Sequence, residues 1–110
     1  MAYDKELADR IRDALGDRDD VEERKMFGGL AFMVAGHMAV GVVGTELMVR
    51  LGEQRAAAAL DEEHVGPMDF TGRPMRTMVY VAPEGVADRA ALEGWVRRGV
   101  SLAESLPPKA

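Results

Sequence analysis

The feature that most constrains the fold is a series of four short apolar runs between Arg24 and Leu51, separated by very short gaps. The runs are "RKMF", "LAFMV", "HMAVGVV" and "LMVRL", and each gap contains glycine. Parallel strands need crossover connections of about a dozen residues or more, whereas antiparallel strands can be joined by tight hairpins. The sequence therefore predicts an antiparallel meander in which glycine supplies the positive φ of the turns.

Alternation within these runs predicts two different faces of the sheet, because successive side chains of a strand point in opposite directions. The bulkier set is Leu30, Phe32, Val34, Met38, Val40 and Val42, and smaller residues or methionine alternate with it. We expect the bulky face to meet helices. The chain has eight methionines, and core filling is the favoured interpretation of them, with an adaptable binding face on the other side of the sheet as the alternative.

Three segments have helical patterns. Apolar residues recur at spacings of three and four between Tyr3 and Leu15, and Gly16 follows them. The stretch "GEQRAAAALDEEH" is rich in helix-forming alanine, with Leu60 as its expected anchor in the core. Asp88 is the expected N-cap of the last helix, which the prolines after Leu106 end.

The remaining segments complete an α+β domain. The acidic stretch "DRDDVEE" is expected to be a solvated connection, and "RTMVYVAP" alternates like a strand that Pro83 closes. The order is helix, three or four strands, helix, one or two strands, helix. This order predicts a two-layer α+β fold with an open antiparallel sheet of about five strands, in one domain that spans residues 1–110.

Charge and cysteine content exclude several classes of protein. The net charge is -5, with 14 basic against 19 acidic side chains, which argues against direct nucleic-acid binding. The chain has no cysteine and thus no disulfide framework or thiolate chemistry. No apolar run approaches the roughly 20 residues of a membrane span, and the charged start does not resemble a signal peptide. We expect a cytoplasmic protein that does not bind membranes.

Catalytic motifs are missing from the sequence. It contains no GxGxxG, P-loop, HExxH or GxSxG pattern. His37 and His64 lie far apart in sequence, and paired carboxylates fall in polar connections or on polar helix faces. We therefore expect no enzyme activity, no metal site and no cofactor.

The stretch "MDFTGRPM" before the last strand is the strongest candidate for recognition. Gly72 permits a sharp turn, and Pro74 fixes φ, so the segment is expected to be a loop that leads into a strand starting at Met75. Phe70 is expected to fill the edge of the core. Arg73 is expected to bond to Asp69 or to carbonyls of the turn at residues 27–29. The candidate interaction or anion-contact residues are Arg24, Lys25, Phe27, Gly28, Gly29, Asp69, Phe70, Arg73 and Arg76.

Several segments together resemble the TfoX N-terminal domain family, also called the Sxy family. They are "KMFGGLAFMVAGHMAVGV", "LMVRLG", "MDFTGRPMRTMVYV" and "WVRRGVSLAESLPPK". The resemblance implies a curved antiparallel sheet similar in topology to type III secretion chaperones. It also implies a regulator, since family proteins control natural competence by promoting transcription from a subset of cyclic-AMP-receptor-protein sites. Full-length members carry a second, helical C-terminal domain, which we expect this chain to lack.

Three functions are compatible with the sequence. The leading hypothesis is a non-enzymatic regulatory or protein-interaction domain that forms a homodimer through a sheet edge or its methionine-containing face. The alternative is an enzyme or small-molecule binder with a cleft near the Arg73 loop, where Arg24, Lys25 and Arg73 hold an anion. Direct contact with DNA is a third, less favoured possibility.

Overall fold

The elements follow the order predicted from the sequence. The structure, a computed structural model, describes residues 3–26, 28–70 and 73–107. Its helices are α1 (Lys5–Leu15), α2 (Glu53–Ala59) and α3 (Arg89–Ser105), and a short 3₁₀ helix covers Pro83–Val86. Its strands are β1 (Val21–Met26), β2 (Gly29–Val34), β3 (His37–Val43), β4 (Glu46–Arg50), β5 (Val65–Phe70) and β6 (Arg73–Val81).

All pairs of neighbouring strands are antiparallel, in the order β1-β2-β3-β4-β6-β5. This confirms the α+β class. The sheet has six strands within the described residues, which is the largest number that the predicted order allowed and one more than the five expected, because Val65–Phe70 forms a strand beside β6. Pro67 is tolerated there because β5 is an edge strand, where proline's missing N–H is not needed by a further neighbour.

The acidic segment after α1 is shorter than expected. Gly16, at φ 70°, ends the helix as predicted, but the connection covers only residues 16–20, since β1 begins at Val21. Val21 pairs with Val34 and Glu22 pairs with Met33. Pairing with the apolar strand β2 therefore overrides the turn preference of "DVEE", and its two glutamates lie exposed on an edge strand.

The two longer helices cover one face of the sheet. Asp4 caps α1 by accepting hydrogen bonds from the N–H groups of Glu6 and Leu7 at 2.9 and 3.3 Å. Asp88 is the N-cap residue of α3, as predicted, although its side chain makes no capping hydrogen bond within the described part of the chain. The bulky strand residues meet these helices in one core, which includes Ile11, Leu15, Leu30, Phe32, Val34, Val40, Val42, Leu47, Val49, Leu92, Trp95 and Val96.

A β-bulge in β3 changes the expected alternation. Phe32 pairs with Val40, but Met33 pairs with Met38, which leaves Ala39 as an extra residue. As a result Ala39 and Val40 both lie on the helix-covered side, and Met38 lies on the other side. The prediction that Met38 shares a face with Val40 was therefore wrong.

The other face of the sheet carries a buried methionine cluster, formed by Ala31, Met33, Met38, Met48, Met68 and Met78. These residues are at most 6% exposed. A Cβ on Gly41 would lie 2.5 Å from Met48 Cε, so the missing side chain of Gly41 leaves space for the end of Met48. Core filling, the favoured interpretation of the methionines, is confirmed for the five methionines of this cluster. Their side chains are buried, so they do not form an exposed binding face.

No helix in the described ranges is long and apolar enough to cross a membrane.

An ion pair joins α1 to the edge of the sheet and makes stability depend on pH. The guanidinium of Arg12 donates to both carboxylate oxygens of Glu23, at 2.6 and 2.8 Å. The hydrogen bond from Arg12 holds the pKa of the Glu23 carboxyl below its ordinary value. A lowered folded-state pKa stabilises the protein above the unfolded value of about 4.3, and this contribution is lost as the pH falls through the folded-state pKa.

Replacement of Glu23 with glutamine is therefore expected to lower the free energy of unfolding at pH 7 by about 0.5 kcal/mol, since the pair is partly exposed. Urea unfolding of Glu23→Gln should approach that of wild type as the pH falls through the lowered folded-state pKa of Glu23, because the carboxyl then becomes protonated. Glu84→Gln, at an exposed position of the 3₁₀ helix, is the control and should change stability less at pH 7. Equal effects of the two changes would contradict the assignment.

Candidate protein-interaction site

An open apolar cleft of about 290 Å³ lies between α2 and the β5–β6 hairpin. We call it the α2–β6 cleft. Its lining residues are Glu53, Ala56, Ala57, Leu60, Pro67, Met68, Met75, Arg76, Met78 and Val79. Eight of these ten are apolar, and the two charged residues have opposite signs.

One wall of the cleft is the alanine-rich helix α2. Ala56 and Ala59 are buried in the helix-side core, and their small side chains let the helix lie close to the sheet. Leu60, the C-cap residue of α2, keeps helical φ and ψ angles of -62° and -18°. Leu60 is 42% exposed and is the one large hydrophobic side chain in the described ranges that is exposed. It was therefore wrong to expect Leu60 to anchor the helix in the core.

The other wall is the β5–β6 hairpin, whose pairing is irregular. Pro67 pairs with Val79, but Met68 pairs with Met75, so three residues of β6 fall between consecutive pairs. Within this interval the Thr77 carbonyl accepts hydrogen bonds from the N–H groups of Leu51 and Gly52, at 2.9 and 3.1 Å. β6 therefore keeps backbone hydrogen bonds on the side of β4, while its register with β5 shifts at this point.

The predicted residues near the first hairpin lie on the opposite edge strand. Arg24 and Lys25 are exposed on β1, and Arg24 forms an ion pair of 2.9 Å with Glu22. Gly28 has φ 74°, as expected of a turn glycine, and Gly29 is buried at the start of β2. Phe27 lies outside the described residues.

The stretch "MDFTGRPM" forms the two arms of a hairpin. Asp69 pairs with Pro74, and Phe70 pairs with Arg73, so the last strand begins at Arg73. The prediction of a loop up to Met75 was wrong because pairing with β5 extends the strand. The turn at Gly72 lies outside the described residues, as do the side chains of Asp69, Phe70 and Arg73. The expected contacts of Phe70 and Arg73 therefore stay predictions.

The anion site expected from Arg24, Lys25 and Arg73 is not assembled by neighbouring strands, since β2, β3 and β4 lie between β1 and β6. Of the predicted candidates, Arg76 reaches the cleft. The sequence interpretation missed Glu53, Ala57, Leu60 and Pro67. The available signal was Leu60, an apolar residue directly after a run of four alanines, but the sequence interpretation assigned it to the core.

The histidines lie apart from the cleft. His37 Nε2 is 2.5 Å from the Pro107 carbonyl oxygen, an arrangement that holds the end of α3 near the β2–β3 turn. His64 is exposed on the turn before β5 and has φ 66°. In the part of the chain that the structure describes, no three His, Asp or Glu side chains are grouped to hold a metal ion.

The chain folds into a small α+β domain with a six-stranded antiparallel sheet and two helices on the bulky face of the sheet. An open apolar cleft beside a third helix gives this domain a surface suited to contact with another molecule. Residues 13–103 match the family model of the TfoX N-terminal domain, and the chain belongs to this family. This confirms the family predicted from the glycine-rich hairpin and the "MDFTGRPM" stretch. Comparisons with curated proteins and with solved structures give no match.

Proposed function

We propose that this chain is a non-enzymatic regulatory domain that acts by binding protein through the α2–β6 cleft. The observation that carries the proposal is the exposure of Leu60 beside an open apolar cleft that the exposed Pro67 and the half-buried Met75 also line. Exposed apolar surface with methionine at its margin is typical of adaptable protein contacts. Membership of the TfoX N-terminal domain family supports a role in transcriptional regulation, such as that of competence, exerted in the cytoplasm through a protein partner.

The occupant we propose for the cleft is a second copy of this chain. Glu53 and Arg76 both line the cleft and carry opposite charges. In a two-fold symmetric dimer the same patch faces itself, so Glu53 of one copy can meet Arg76 of the other, twice. Leu60 of each copy would then enter the apolar cleft of its partner.

The edges of the sheet are poorer surfaces for such a dimer. β1 carries four consecutive charged residues, Glu22 to Lys25, and β5 contains Pro67 and an irregular register. Charges, proline and bulges on edge strands are the devices by which sheets avoid pairing with other sheets. These features support association through the cleft.

Light scattering tests the dimer. Wild type is expected to have twice the 12.0 kDa mass of the chain, and Leu60→Glu is expected to be a folded monomer, because Leu60 is exposed in the single chain. Leu60→Met, which keeps an apolar side chain, is the matched control and should remain a dimer.

A charge exchange tests the symmetric arrangement itself. Glu53→Arg and Arg76→Glu should each weaken the dimer by placing like charges opposite one another, and the double variant should restore it. Wild type at 12.0 kDa at high protein concentration would contradict the dimer. Failure of the double variant to recover would contradict this geometry.

The second candidate function is binding of a small apolar carboxylate in the same cleft. The volume of about 290 Å³ is near the lower end of the range of roughly 300–1,000 Å³ for ligand pockets, and Arg76 supplies one cation. Medium-chain carboxylates at about 100 times their dissociation constant would then stabilise the protein by roughly 2.7 kcal/mol in thermal unfolding. A stabilised monomer would favour this function, whereas a dimer unaffected by these ligands favours the first.

A further inference from the structure

A second groove, of about 500 Å³, lies between α2 with its following turn and the outward side of α3. We call it the arginine groove. Arg55 lies on the α2 side, and Arg97 and Arg98 lie on the α3 side. Small residues of α3, among them Ala90, Gly94 and Ser101, line it between these charges.

The glycine at the centre of this groove has no packing role within the described chain. Gly94 lies inside α3, where glycine costs roughly 0.5–1 kcal/mol relative to alanine, and a Cβ built on it would meet no atom within 4 Å. Gly99, on the same helix, differs: its Cβ would lie 2.4 Å from the carbonyl oxygen of Ala39. Close contact with the sheet therefore explains why position 99 is glycine. Gly94, in contrast, leaves space on the outer surface of the molecule.

The spacing of the groove residues on α3 is that of a helix-packing surface. Residues 90, 91, 94, 97, 98 and 101 line the groove, and their separations of three and four place them on one side of the helix. The stretch from residue 90 to residue 101 is about 16 Å long at 1.5 Å per residue. That length matches about three turns of a second helix, and small residues allow such a helix to approach closely.

The charges around the groove select an acidic partner. Arg98 is paired with Glu62 at 2.9 Å, and its guanidinium lies 4.1 Å from the centre of the Trp95 ring, which holds it in place. Arg55 and Arg97 are exposed and form no ion pair with any described carboxylate. Glu62 also lines the groove, so three arginines face one carboxylate and the lining has a net charge of +2, although the whole chain has a net charge of -5.

We propose that the arginine groove binds an amphipathic helix of a partner protein. Small apolar residues of that helix lie against Gly94, and its acidic residues lie beside Arg55 and Arg97. The contact is helix against helix, and opposite charges on the flanks set the orientation and the choice of partner. This site is separate from the α2–β6 cleft, so variants that abolish the dimer leave the proposal intact.

Three synthetic helical peptides of about 14 residues, or four turns, test the proposal. Each has alanine and leucine along one side, and the flanks carry glutamate, glutamine or lysine. Titration into ¹⁵N-labelled protein should give chemical-shift changes confined to α2, the turn after it and α3 with the glutamate peptide. Binding should weaken with the glutamine peptide, disappear with the lysine peptide, and weaken as salt is added.

Two sets of variants locate the contact. Gly94→Gln should abolish binding of the glutamate peptide while the protein stays folded, because glutamine is a better helix former than glycine and its side chain fills the groove. Arg55→Gln combined with Arg97→Gln should weaken binding roughly three- to tenfold. Arg50→Gln, on β4, is the matched control and should leave binding unchanged.

The proposal is overturned if the glutamate peptide binds no better than the lysine peptide, or if Gly94→Gln binds it like wild type. It is also overturned if a DNA oligonucleotide binds more tightly than the glutamate peptide and loses its affinity in the Arg55→Gln, Arg97→Gln variant. That outcome would identify the groove as a phosphate-binding surface.

Discussion

Replacement of Gly99 with leucine is expected to lower the free energy of unfolding by about 4 kcal/mol or more, enough to unfold much of the protein. At this position α3 lies directly on β3. An added Cβ would be 2.4 Å from the Ala39 carbonyl oxygen and 2.8 Å from Val40 Cγ1. The nearer atom belongs to the backbone of a buried strand, which cannot move without disturbing its hydrogen bonds to both neighbours. The helix must therefore lift from the sheet.

Gly94→Leu is the matched control, because it makes the same change on the same helix where a Cβ meets nothing within 4 Å. It should keep or raise stability, since leucine is a better helix former than glycine. Circular dichroism during urea titration measures both variants. Equal stabilities for the two leucine variants would show that α3 does not approach β3 as closely as described.

Replacement of Met48 with alanine is expected to lower the free energy of unfolding by about 3 kcal/mol, within the range for buried large-to-small changes. Met48 is 0% exposed at the centre of the methionine cluster and extends over Gly41. Shortening it leaves a cavity that neighbouring methionines fill only in part. Met48→Leu nearly conserves volume and should cost less than about 1.5 kcal/mol.

Chemical denaturation measures these costs, with Met26→Ala as the control from the half-buried margin of the same cluster. Met26→Ala should cost clearly less than Met48→Ala. A small loss in Met48→Ala, similar to that in Met26→Ala, would contradict the interior role of this face. A large loss in Met48→Leu would instead indicate that the shape of methionine itself is required.

Local physical chemistry explains why the first hairpins could be predicted. Gly28, Gly36 and Gly44 have positive φ angles of 74°, 86° and 58°, a conformation that only glycine adopts without strain. Because gaps this short cannot hold a crossover connection, strands that are neighbours in sequence can pair only in the antiparallel direction. The end of α1 was equally readable, because Gly16 and the spacing of Leu7, Ile11 and Leu15 are local signals. Its start was not, since Tyr3, expected on the helix, lies before the N-cap and forms a β-bridge with Gly44.

Features that depend on pairing between distant residues could not be predicted. The bulge at Ala39 is visible only in the pairing of β2 with β3, and it reverses the side on which Met38 lies. The predicted order allowed one or two strands after α2, and β5 could not be assigned because Gly66-Pro67 is typical of a loop, whereas its strand conformation comes from pairing with β6.

The candidate surfaces were missed for a related reason. The α2–β6 cleft combines Leu60 with residues of two strands, and the arginine groove combines Arg55 with residues more than 30 positions later in the chain. Charged residues can be grouped from sequence only by their neighbours along the chain, as for Arg24 and Lys25, and such grouping does not bring Arg55 and Arg97 together.

The methionine cluster has a chemical consequence. Thioether sulfur is converted by oxidants to sulfoxide, which is polar and does not pack in an apolar interior. Met26 and Met75 are half-buried at the margin of the cluster, whereas Met48 and Met68 are at most 1% exposed. Oxidants therefore reach the margin first, and each sulfoxide loosens the residues behind it. The smaller of this protein's two buried clusters is thus sensitive to peroxide stress, although the chain contains no thiol.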